Sequence, residues 1–167
     1  MVGNALFADG SAAVVVVGKN RVAEFSDGIP ILDSASIRIP DSDDQMSWRI
    51  GDHGFDMTLT GQVPTSIEGH LKEWFAAWLW PHGLTTEEIG DWIVHPGGPR
   101  ILDATESALS LPDNELDRSR EVLSELGNMS SPTVFFVLQR SLDRGGSGPR
   151  ILLAFGPGLV AEATLLG

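Results

Sequence analysis

The stretch DWIVHPGGPR, residues 91–100, decides how the chain is read. Trp92, Ile93 and Val94 form an apolar run of strand length, and the run ends on an ionisable ring, His95. Pro96, Gly97, Gly98 and Pro99 follow, a turn stiffened by two prolines and stripped of side chains by two glycines. Proline favours the first position of a helix. A helix over 100–109 would set Ile101, Thr105 and Ala108 along one side. A strand that passes into a helix through such a loop belongs to an α/β layered fold. The C-terminal edge of such a strand is where these folds gather their site groups. A lone histidine at a strand end is more often structural, but here it stands beside PGGP. The bare main-chain N–H groups of that loop suit a phosphate or a carboxylate.

Working outward, the second stretch with the same flavour is GNMSSP, residues 127–132. Gly127 suits the stop of a helix capped by Asp113, with Leu116, Leu123 and Leu126 as its apolar face. Ser131-Pro132 suits the start of the next helix. Asn128 is then held on a short loop between a helix end and a helix start. After a glycine, asparagine is commonly only a turn residue. Its NH₂ group nevertheless carries two donors, and a neutral imidazole carries one. Donors of that kind converging on one point form an oxyanion hole.

The remaining chain reads as follows. AAVVVV, within residues 11–20, is a β-branched run and is expected to be a buried central strand. Residues 21–40 suggest two weak strands. Met46, Trp48 and Ile50, then Phe55, Met57 and Leu59, alternate on either side of Gly51–Gly54 and predict a hairpin. Pro64 opens a helix with a Thr65/Glu68 capping box and an apolar face of Ile67, Leu71, Trp74, Phe75, Trp78 and Leu79. TVFFVL, residues 133–138, is apolar almost all round and predicts a helix buried in the core. RGGSGPR, residues 144–150, is a turn. ILLAF and LVAEATLL make an antiparallel pair joined through Gly156, Pro157 and Gly158. The order predicts an α/β layered arrangement with a mixed sheet.

Composition narrows the function. The chain has 167 residues, 42 % apolar and 20 % charged, the size and make-up of one globular domain. No run approaches a membrane span, and the start lacks a secretory signal pattern, so the expected location is cytoplasmic. The net charge of −12 argues against nucleic acid as a partner. Cysteine is absent, which excludes disulfides and a cysteine nucleophile within these residues. His53, His70, His82 and His95 lack metal-ligand spacing, so no metal site is expected.

Together, ALFADGSAAVVVVG, WIVHPGGPRILD, SREVLSELGNMSSPTVFFVL and LLAFGPGLVAEATLL resemble, in this order, the C-terminal half of the type III polyketide synthases, the chalcone and stilbene synthase family. The ketoacyl synthase III cousins also pair a histidine with an asparagine, but tend to carry HQAN, GNTS and GGG where this chain has HPGG, GNMS and GPG. The resemblance implies a thiolase-like half over residues 1–167, a layered α-β-α unit with a mixed five-stranded sheet. The nucleophilic cysteine would lie in an N-terminal half absent from these residues, so the chain would be an incomplete portion, inactive alone. The alternative readings are a non-catalytic thiolase-like binding or assembly module pairing with another chain, and a ketoacyl synthase III-like enzyme.

The resemblance also implies roles. His95 matches the catalytic histidine, which assists the cysteine thiolate, and Asn128 the catalytic asparagine. The two would hold the thioester carbonyl of malonyl-CoA during decarboxylative condensation with an acyl-CoA starter. Phe7 matches a gatekeeper between the CoA tunnel and the cavity. Met57 falls near a second gatekeeper position that is phenylalanine in the plant enzymes. Gly97, Gly98 and Pro99 match the loop along the pantetheine arm, with Arg100 as the local phosphate contact. Gly156, Pro157 and Gly158 match the turn that shapes the cyclisation pocket. Coenzyme A thioesters are the implied substrates, with no tightly bound cofactor. The implied partners are the N-terminal half and, in the complete enzyme, a second copy in a homodimer. A lone half is expected to expose parts of AAVVVV and TVFFVL and to self-associate.

Overall fold

The structure is a computed structural model that describes residues 6–25, 27–145 and 148–167, leaving aside the Phe55 side chain. Its elements in chain order are β1 (Ile31–Arg38), β2 (Met46–Gly51), β3 (Gly54–Leu59), α1 (Val63–Leu79), β4 (Asp91–Val94), α2 (Pro99–Leu109), α3 (Asp117–Leu126), α4 (Pro132–Asp143), β5 (Arg150–Gly156) and β6 (Val160–Leu166). The main sheet runs β1-β6-β5-β4, and β2 and β3 form a separate hairpin. β4 and β5 are parallel, whereas β5–β6 and β1–β6 are antiparallel, so the sheet is mixed.

Alternation along the strands sorts the residues between two faces. On one face Trp92, Val94, Ile151, Leu153, Ala161, Ala163 and Leu165 pack with Ile67, Leu71, Phe75 and Leu79 of α1 and with Ile101 and Leu102 of α2. On the other, Ile93 and Leu152 pack with Val122, Met129 and Val137 around α3 and α4. Further across that second face the sheet turns polar. Ser36 of β1 donates to Glu162 of β6 at 2.9 Å, and the Ser34 and Thr164 hydroxyls lie 3.3 Å apart. The unit is therefore α-β-α, with the second helix layer covering only the β4–β5 side. The aromatic residues of α1 anchor the first layer: the Phe75 ring meets the Trp92 ring edge-on at 5.1 Å between centroids.

Several expectations are corrected. The sheet has four strands among the described residues, not five. Residues 11–18 form no strand, and Val14, Val15 and Val16 are 55, 86 and 69 % exposed. β-branched residues favour an extended backbone only where a neighbour takes up their hydrogen bonds, and no described strand pairs with this run. Of the two weak strands in 21–40, one forms; Lys19–Glu24 is instead a 3₁₀ helix. α1 starts at Val63, so Thr65 lies inside the first turn and caps nothing. A T-x-x-E capping box occurs instead at Thr85 and Glu88, where the Thr85 N–H donates to the Glu88 carboxylate at 2.9 Å.

Asp113 does not cap a helix. Residues 113–116 form a turn, and α3 begins at Asp117 with Leu116, Ser119 and Val122 as the buried positions; Leu126 is exposed. α4 is half-buried rather than immersed, because nothing described covers its outer side. The turn expected over 144–150 lies partly outside the described residues. The hairpin at Gly51–Gly54, the Gly127 helix stop and the 156–158 turn form as expected.

Candidate active site

His95 follows directly on the last residue of β4, a strand buried throughout. The Val94–His95 peptide unit is held on both sides. Its N–H donates to the Leu153 carbonyl of β5 at 2.7 Å, and its C=O accepts from the buried Ser119 hydroxyl of α3 at 2.7 Å. The ring that leaves this fixed backbone is partly buried, and burial lowers its pKa from 6.5 to about 4. At neutral pH the imidazole is therefore uncharged, with one N–H to give.

Gly97 lies under that ring. A Cβ placed on it would sit 3.8 Å from His95 Cδ2 and 4.0 Å from Nε2. The same glycine meets Asn128 from the other direction, its carbonyl accepting from Asn128 Nδ2 at 3.3 Å. The carboxamide is thus tied to the loop that carries the imidazole, although 31 positions separate Gly97 from Asn128 in the chain.

Asn128 is 4 % exposed, and its surroundings fix it tightly. Its Oδ1 accepts from the Ser130 N–H at 2.8 Å, which decides which end of the amide carries the donors. Its backbone pairs with residues 6–8: the Asn128 N–H donates to the Leu6 carbonyl at 2.8 Å, and the Ala8 N–H donates to the Asn128 carbonyl at 2.9 Å. Phe7 lies between those two bonds, in a parallel bridge with Asn128. Gly127 makes this approach possible. Its φ is +76°, and a Cβ there would meet Ala8 Cβ at 2.9 Å and the Leu6 carbonyl at 3.2 Å. Beyond Asn128, the Thr133 hydroxyl accepts from the Met129 N–H and donates to the Ser130 carbonyl, both at 2.8 Å, and so closes the loop onto α4.

The other candidate residues are distributed around this pair. Phe7 is 40 % exposed and stands next to Asn128. Gly98 precedes α2 in extended backbone, and Pro99 and Arg100 open the helix from the surface. The Gly156–Gly158 turn follows β5, the strand whose Leu153 holds the His95 N–H, so it shares that edge of the sheet. Gly158 takes φ +83°, and its N–H donates to the Met46 carbonyl at 2.8 Å, tying the turn to the base of the hairpin. Met57 sits on that hairpin, opposite Trp48, and no described contact joins it to His95 or Asn128. An apolar notch of about 260 Å³, lined by Leu6, Pro99, Leu102, Arg120, Leu123 and Ser124, includes neither donor.

Three contributors escaped the sequence reading. Ser119 holds the peptide ahead of His95. Glu115 accepts from the Trp92 N–H at 3.2 Å, and burial pushes its carboxyl above its ordinary pKa. Asp91, 1 % exposed, pairs with Arg118 and accepts from Ser141, fastening the start of β4 to α3 and α4. The signal for Ser119 was its phase: it falls three residues after Leu116 and three before Val122, on the apolar face of α3.

Residues 31–167 match the family described as chalcone and stilbene synthases, C-terminal domain. The chain is 39 % identical over 169 residues to the 1,3,6,8-tetrahydroxynaphthalene synthase of Streptomyces peucetius subsp. caesius, covering 99 % of this chain and 45 % of that protein. It is 32 % identical over 171 residues to a putative chalcone synthase of Bacillus subtilis (strain 168), covering 99 % of this chain and 47 % of that one. The chain thus spans about half the length of these relatives. Among solved structures it is similar to PKS-I from the brown alga Ectocarpus siliculosus, with a TM-score of 0.78 and 30 % identity over 83 % of this chain and 39 % of that one. The chain belongs to the chalcone and stilbene synthase family, and it matches that family's C-terminal domain from Ile31 onward.

Proposed function

We propose that this chain is the C-terminal portion of an acyltransferase that condenses an acyl-CoA starter with malonyl-CoA to build a polyketide. His95 and Asn128 are its oxyanion donors. The observation that carries the reading is the hydrogen bond from Asn128 to the carbonyl of Gly97, two residues beyond His95, which holds an oriented carboxamide to the loop that carries the neutral imidazole. Asn128 Nδ2 spends one hydrogen on Gly97, and the second is available to a substrate oxygen.

The chemistry follows from where charge moves. Malonyl-CoA loses CO₂, and the electron pair of the broken C–C bond passes into an enolate whose charge rests on the thioester oxygen. The imidazole N–H and the amide N–H stabilise that oxygen. The enolate carbon then attacks an acyl thioester carried on a cysteine of the N-terminal half, forming the new C–C bond and expelling the thiolate. A cationic His95 would surrender its proton to the enolate and quench the carbanion. The low pKa of the ring therefore favours condensation over simple decarboxylation.

Gly97, Gly98 and Pro99 would lie along the pantetheine arm, with Arg100 toward the CoA phosphates. Phe7 would stand at the tunnel mouth and Met57 at a second gate. Gly156, Pro157 and Gly158 would bound the cyclisation pocket. The pairing of Phe7 with Asn128 supports the first gate, and the common sheet edge supports the turn. In the complete enzyme the expected assembly is a homodimer in the cytoplasm.

The test supplies the purified chain with the cysteine-bearing half of its tetrahydroxynaphthalene synthase relative, then adds acyl-CoA and labelled malonyl-CoA. The chain alone should give no polyketide, whereas the combination should. His95→Ala and Asn128→Ala should each lower condensation by about 10²–10³-fold. Condensation by the isolated chain, or indifference to both substitutions, contradicts the proposal.

A further inference from the structure

We propose that Ser119 is a positioning residue for His95: its buried hydroxyl grips the peptide unit from which the imidazole projects. The proposal rests on the reading of His95 as a donor to the substrate. β4 lies at the edge of the described sheet, so the outward groups of Trp92 and Val94 face no described strand. Side chains from the start of α3 take that place. Glu115 accepts from the Trp92 N–H at 3.2 Å, and Ser119 donates to the Val94 carbonyl at 2.7 Å. On the inward side, the His95 N–H donates to Leu153 at 2.7 Å. The carbonyl and the N–H of a single planar peptide are thus fixed from opposite sides, which leaves the His95 Cα little freedom to rotate.

A serine in a helix can satisfy itself on its own helix, four residues back. Ser119 reaches across to β4 instead, and its side chain is fully buried. The helix that carries it ends at Leu126, and Gly127 and Asn128 follow directly. α3 therefore holds the backbone of one donor near its start and delivers the other at its end. Loss of the Ser119 hydroxyl leaves a buried carbonyl unpartnered. The Val94–His95 peptide can then tilt, turning the ring toward water and away from Gly97.

The experiment follows the His95 imidazole by NMR titration and the His95 amide by hydrogen exchange, in the purified chain and in Ser119→Ala, Ser119→Thr and Ser119→Val. In Ser119→Ala the His95 titration should move up by about one unit, and its amide should exchange at least about tenfold faster. Ser119→Thr keeps the hydroxyl and should restore both readings. Ser119→Val has the shape of threonine without the hydroxyl and should behave as alanine does. A folded Ser119→Ala with both readings unchanged overturns the proposal, as does a valine variant matching threonine. Should none of the variants fold, the unsubstituted chain still decides, because a His95 amide exchanging as fast as exposed amides excludes the grip. In the reconstituted enzyme Ser119→Ala should lower kcat about tenfold with KM unchanged. If His95→Ala leaves condensation intact, the functional reading fails, while the titration judges Ser119 independently.

Discussion

Asn128 donates through Nδ2 to the carbonyl of Gly97 at 3.3 Å, and that contact closes the distance between two motifs far apart in the chain. A Cβ on the same glycine would lie 3.8 Å from the His95 imidazole. An amide whose Oδ1 is already committed to the Ser130 N–H has its donors aimed by default. The following consequences can be measured.

His95 makes stability pH-dependent on the acid side. Its folded pKa of about 4 lies below the ordinary 6.5, so the unfolded chain binds the proton more readily. The folded state is therefore fully favoured above about pH 6.5 and loses stability as pH falls toward 4. The loss attributable to this group approaches about 3 kcal/mol at the acid end. Urea unfolding from pH 7 to pH 4 should show this slope, and His95→Asn should flatten it relative to the unsubstituted chain. Equal slopes would mean that the ring is not buried neutral.

Gly127→Ala should destabilise the chain by about 1–3 kcal/mol. The residue takes φ +76°, and a methyl group would collide with Ala8 and with the Leu6 carbonyl. Relief comes most easily by releasing residues 6–8. The Ala8 amide, bonded to the Asn128 carbonyl, should lose exchange protection before the core does.

Asp91→Ala should cost about 3 kcal/mol or more in chemical denaturation, because it strands the charge of Arg118 at a mostly buried position and removes the acceptor of Ser141. The damage should centre on β4 and α3, visible as faster exchange at Trp92.

The valine run should drive association. Val14, Val15 and Val16 are solvent-exposed together, an apolar segment that no described strand covers. Sedimentation velocity of the purified chain should show concentration-dependent species larger than a monomer. Val15→Lys should shift the distribution toward monomer without changing the unfolding midpoint. A compact monomer at all concentrations would count against this.

Local chemistry was legible in the sequence, and long-range pairing was not. His95 at a strand end, Pro99 at a helix start, Gly127 at a helix stop and the 156–158 turn each depend on a few adjacent residues, and each formed where expected. The valine run failed because a strand requires a neighbour, which no local pattern supplies. Asp113 and Thr65 carried the right residue types for caps, but tertiary contacts moved the helix starts. In α3, the turn before Asp117 instead serves to bring Glu115 against Trp92. The residue types singled out His95 and Asn128 as candidates, while the hydrogen bond from Asn128 to the Gly97 carbonyl became visible only in three dimensions. Nothing in the sequence singled out Ser119 for function, although its phase with Leu116 and Val122 marks it as buried.

The most direct measurement is a double-mutant cycle on malonyl-CoA decarboxylation by the reconstituted enzyme, using His95→Ala, Asn128→Ala and the pair together. Two donors serving one oxyanion act as a unit, so each single loss should cost about 10²–10³-fold and the double loss much less than their product. Fully multiplicative losses, or an Asn128→Ala variant as fast as the unsubstituted enzyme, would contradict a shared target for the imidazole and the carboxamide.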